Sequence, residues 1–103
     1  MRETLPQRRP NQTVEFDRDG LRIRMTLGFA PDGRVAEVFL NSDKLNSAID
    51  LLLSDAAIIL SIALQHGTEL QALAHSVKRD GFGLALSPLG AAIDNALNPK
   101  VNS

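Results

Sequence analysis

The sequence predicts an α+β fold, a three-stranded antiparallel β-meander packed on one face by three helices. Apolar and polar residues alternate with period two through residues 13–40 and are broken by Asp-Gly turn signals, whereas residues 47–97 repeat apolar positions at helical spacing. A length of 103 residues with 44% hydrophobic content suits a single core. The expected organisation is an extended arm over 1–12, one domain over 13–98 and a tail over 99–103.

The arm is polar and proline-broken, with Arg2, Arg8 and Arg9 beside Pro6 and Pro10. Strands are expected over 13–18, 21–28 and 35–40. Asp19-Gly20 is a two-residue hairpin signal that pairs Arg18 with Leu21, Asp17 with Arg22, Phe16 with Ile23, Glu15 with Arg24 and Val14 with Met25. Apolar then meets apolar and acid meets arginine. Pro31-Asp32-Gly33 marks the second turn. In the third strand Ala36, Val38 and Leu40 form a wholly apolar set and should face inward, which leaves Phe39 on the outer face beside Glu37.

The first helix is expected over 47–66, opened by a capping box of Ser47 and Asp50 and closed by Gly67. Asp50, Ser54, Ser61 and Gln65 project onto one narrow stripe, and almost every other position is Ala, Ile or Leu. The stripe is therefore expected to meet water and the rest to be wrapped by the chain, so that Ser61→Asp should be mild and Leu60→Asp should unfold the domain. A membrane span is not expected, because the longest uninterrupted apolar run, Ala56 to Leu60, is far short of about 20 residues. A second helix over 69–78 opens with Thr68 and Gln71. A third, over 88–97, begins with Ser87-Pro88 and is stopped by Asn98-Pro99.

Composition excludes several chemistries. With zero Cys there is no disulfide, thiolate nucleophile or redox pair, and a net charge of -1 gives no global field for nucleic acid or anionic lipid. The N-terminal residues carry no apolar signal-like stretch, so a cytoplasmic location is expected. No cofactor is expected. No metal is expected either, since His66 and His75 lie in no HxxxH or HExxH spacing. Gly81-Phe82-Gly83 is a loop rather than a dinucleotide motif. Asp55 lies off the polar stripe and His66 projects within about 20° of it, three turns on. Both are expected to be buried polar groups, Asp55 either bonded structurally or acting as a functional acid. Arg8, Arg9, Arg22, Arg24 and Phe39 are the interaction candidates.

Four stretches, LPQRRP at 5–10, GFAPDGRVAEVFLN at 28–41, DAAIILSIALQHG at 55–67 and SPLGAAIDNAL at 87–97, resemble the TSCPD domain. That family is found near the C-terminus of adenosylcobalamin-dependent (class II) ribonucleotide reductases and as short stand-alone proteins, some in phage settings. The resemblance implies a link to deoxynucleotide synthesis. It carries over no catalytic residue, since class II chemistry uses cysteines and this chain has none. Three readings follow. The first is a non-catalytic accessory module whose partner is a reductase or a second copy, with a homodimer formed over the outer sheet face. The second is a nucleotide or single-stranded nucleic-acid binder using the four arginines, for which 4% aromatic content supplies few stacking platforms. The third is a small enzyme using Asp55 and a histidine.

Overall fold

The computed structural model describes Arg2, Leu5 and residues 10–98. Its order is β1 (Asn11–Arg18), β2 (Leu21–Phe29), β3 (Val35–Ser42), α1 (Ala48–Gln65), α2 (Leu70–Ser76) and α3 (Pro88–Leu97). The α+β meander is as the sequence predicts, with strand order β1-β2-β3. All five expected hairpin pairs are present. Asp19 and Gly20 have φ of 53° and 79°, the left-handed pair that a two-residue turn needs to match strand twist. The first strand starts earlier than expected, because Asn11 and Gln12 pair with Gly28 and Leu27. Arg8 and Arg9, and the expected tail, lie outside the described residues.

One sheet face is dry. Val14, Ile23, Met25, Leu27, Ala36, Val38 and Leu40 are buried, while Arg22, Arg24 and Phe39 look outward. Leu53, Ala57, Leu60 and Leu64 of α1 and Ala92, Ile93 and Ala96 of α3 close over it as one core. The described chain is compact, with a radius of gyration of 13.3 Å against about 13 Å for a folded chain of 100 residues. At Gly90 of α3 an added Cβ would sit 2.9 Å from that of Ala85, so glycine permits this helix to press on the preceding loop.

The seat of α1 reverses the sequence expectation. Asp50, Ser61 and Gln65, expected in water, are buried, and the polar stripe faces β3. Among the described residues β3 is an edge strand with no strand beyond it, so the N–H and C=O groups at Ala36, Val38, Leu40 and Ser42 need other partners. The stripe supplies them. Asp50 Oδ1 accepts from Ser42 N at 2.7 Å and Ser54 Oγ donates to Leu40 O at 3.2 Å. Ser61 Oγ accepts from Val38 N at 2.9 Å and donates to Val38 O at 3.0 Å, and Gln65 Nε2 donates to Ala36 O at 3.0 Å. The lengths agree: fifteen helical residues rise about 22 Å and six strand residues about 20 Å. By length and composition α1 could also cross a membrane, but this row of bonds makes it the cover of a sheet edge.

Beyond α1 the chain is held by polar ties. α2 is shorter than expected and is capped by Glu69 without a side-chain bond, so the Thr68–Gln71 capping pattern does not form. Arg79 compensates at the other end. Its guanidinium donates to Ala74 O at 2.7 Å, to Gly83 O at 2.9 Å and to both carboxylate oxygens of Asp94 at 2.7 and 2.8 Å, joining α2, the 80–84 turn and α3.

Candidate interaction surface

Turning the polar stripe inward leaves the opposite side of α1 bare. Leu52 is 65% exposed, Ile58 58% and Ile59 69%, with Leu51 and Ile62 also open to solvent. Asp55 and His66 lie in the midst of this face and are exposed, which corrects the expectation that they are buried polar groups. The physical reason is the same as for the stripe. β3 accepts the side of the helix that can bond to its backbone, and Asp55 projects about 140° away from Asp50.

Of the interaction candidates, Arg22, Arg24 and Phe39 sit on the outer sheet face. Phe39 is 52% exposed there and, with Ile58, Ser54 and Ser61 of α1, lines a groove of about 310 Å³. Arg22 bonds Glu15 at 3.0 Å and Asp17 at 3.2 Å, and Arg24 bonds Glu15 at 2.9 Å. These bonds, from Arg24 first and Arg22 second, hold the Glu15 carboxyl below its usual range. The two arginines are thus engaged by the acids the hairpin register sets beside them. Arg2 donates to Gln65 Oε1, bringing one N-terminal arginine to the end of α1.

A second apolar surface is one that sequence reasoning passed over as a loop. Asp80 Oδ1 accepts from Phe82 N at 2.8 Å and Leu84 N at 3.0 Å, fixing a tight turn that leaves Phe82 94% exposed beside Leu84 and Leu86. The signal available was Asp80 ahead of Gly81 and Gly83. Arg79–Asp94 was likewise missed, since a contact across 15 residues of irregular chain leaves no periodic trace. Arg79 holds the Asp94 carboxyl below its usual range, and the backbone N–H groups of Ser42 and then Asn46 do so for Asp50. His75 is exposed, and no group of three His, Asp or Glu that could hold a metal ion occurs among the described residues.

The family model for the TSCPD domain matches residues 2–98, nearly the whole chain. The chain belongs to the TSCPD domain family. Its curated relatives include Vitamin B12-dependent ribonucleotide reductases. That of Agrobacterium fabrum is 33% identical over 70 residues, covering 68% of this chain and 6% of the relative. That of Rhodopirellula baltica is 32% identical over 81 residues, 79% of this chain and 8% of the relative. That of Bradyrhizobium diazoefficiens is 32% identical over 69 residues, 67% of this chain and 6% of the relative. This TSCPD chain therefore spans less than a tenth of the length of those relatives. No solved structure matches it.

Proposed function

We propose that this TSCPD chain is a non-catalytic interaction module, a single folded unit tied to ribonucleotide reduction through a protein partner. The observation that carries the reading is the exposed aliphatic face of α1, with Leu51, Leu52, Ile58, Ile59 and Ile62 open on one helix. Contiguous exposed apolar surface on a small domain marks a docking site more often than accident. The relatives, named as Vitamin B12-dependent ribonucleotide reductases, supply the class of partner: such a reductase, or a second TSCPD chain. A nucleotide site on Arg22 and Arg24 is less well supported, because an incoming phosphate would have to displace Glu15 and Asp17.

Titration of the purified chain against the B12-dependent reductase of its own organism, with self-association measured in parallel, tests this. Binding in the micromolar range is expected, weakened about tenfold or more by Ile58→Ser with Ile59→Ser. Absence of both reductase binding and self-association up to about 100 µM would remove the reading.

A further inference from the structure

We propose that α1 pairs antiparallel with α1 of a second copy of this chain, in the register that sets Asp55 against His66 of the partner subunit. This rests on the reading of α1 as a docking face and names its occupant. Asp55 and His66 lie on one line of the helix, within about 20° in projection and about 16 Å apart along the axis. Ile58, Ile59 and Ile62 are exposed on the same side between them. A carboxylate inside an aliphatic stripe is tolerable while water reaches it, and costly once another surface covers it without a partner. An acid at one end of a stripe and an imidazole at the other make that stripe complementary to itself.

A two-fold axis passing between positions 60 and 61 uses this twice. It places Asp55 opposite the partner's His66 and the reverse, Ile59 opposite the partner's Ile62, and Ile58 opposite the partner's Ala63. The two Asp55–His66 pairs then flank the Ile58, Ile59 and Ile62 contact on either side. A slip of about one turn sets Asp55 against Ile62, which offers no bonding group, in one direction, and in the other carries it past the end of α1, which closes at His66. The pair therefore specifies the register, as a polar residue does in a coiled-coil seam. A bilayer surface fits the same stripe poorly, because residues 48–65 contain Asp50 and Asp55 but no Lys or Arg to meet lipid headgroups.

Sedimentation equilibrium of the full chain at about pH 6 decides the matter. The expected mass is twice the 11.1 kDa of one chain. Asp55→Arg should weaken the dimer about tenfold or more, and Asp55→His combined with His66→Asp should return it to within about threefold of the native value. Ile59→Ser should dissociate it with the far-ultraviolet circular dichroism spectrum unchanged. A mass of 11.1 kDa up to about 100 µM overturns the proposal. So does Asp55→Arg self-association as tight as native, or a charge swap that restores nothing. Monomers that co-sediment with phosphatidylcholine vesicles would assign the stripe to lipid instead. A monomer that still binds the reductase through Ile58 and Ile59 sinks the pairing alone and leaves the interaction module standing.

Discussion

Ile59, Leu60 and Ser61 are consecutive on α1 and occupy three environments, so one acidic substitution at each reads the fold directly. Ile59 is exposed, and Ile59→Asp should leave the monomer about as stable as before. Leu60 is 7% exposed within the core, and Leu60→Asp should unfold the domain by placing a charge against Leu53-side packing without a partner. Ser61 bonds both polar groups of Val38, so Ser61→Ala should cost about 1 to 3 kcal/mol by orphaning them. Ser61→Asp, expected from the sequence to be mild, should instead be severe, since a carboxylate would face the Val38 carbonyl. Urea melts of the four variants check the series, and equal midpoints for Ile59→Asp and Ser61→Asp would refute the seat of α1. The carboxyls of Asp50, Asp94 and Glu15 all have pKa values lowered in the fold. Their contribution is therefore fully present above the unfolded values of about 4 and is lost as pH falls through the lower folded ones. Melting temperature should hold from pH 7 to about 5 and drop below about 4, with a smaller drop in Asp94→Asn. A flat profile down to about pH 3 would show that these bonds do not stabilise the fold.

At the scale of elements, strands were legible and the face of α1 was not, for a definite reason. Alternation and the Asp19-Gly20 turn settle a hairpin because period two, turn type and cross-strand chemistry all demand one register. Helical spacing tells which residues share a side of α1 but not what that side meets. Ser, Gln and Asp suit water, and they suit an unpaired strand edge equally well; only the position of β3 at the sheet edge decides. The consequence is testable against intrinsic propensity. Replacing Ser54, Ser61 and Gln65 together by Ala makes α1 a better isolated helix, yet the triple variant should melt lower and scatter light on heating, because the edge groups of β3 become available to another chain. A higher melting temperature would mean that propensity outweighs the edge bonds. The segment after α2 was legible only as irregular, since its order comes from Arg79 reaching Asp94, Ala74 and Gly83. Arg79→Lys keeps the charge but loses the planar fork. Hydrogen exchange at residues 80–84 should accelerate about tenfold or more while the β2 amides stay protected, and uniform protection would show that the turn holds without the arginine.

For the whole molecule, the inward polar stripe and the outward apolar face are one arrangement, since a helix that spends most of its hydrogen-bonding side chains on β3 is left with a largely Leu and Ile face for solvent, interrupted by Asp55 and His66. A TSCPD chain so built is folded yet leaves a large aliphatic surface uncovered, and association is then linked to stability by mass action. If two chains share that face, unfolding releases two molecules from one. Each tenfold rise in protein concentration then favours the native dimer by about 1.4 kcal/mol, or about 0.7 kcal/mol per chain. A domain of this size unfolds with an entropy of roughly 2.1 cal/mol/K per residue. Raising the concentration from about 1 to about 100 µM should therefore lift the melting temperature by about 5 to 8 °C, provided both lie above the dissociation constant. Ile59→Asp should remove the dependence and not the fold, melting at one temperature throughout the range. Scanning calorimetry at the two concentrations reads this without any partner or probe, and a native melting temperature that does not move would show that α1 meets no second copy in solution.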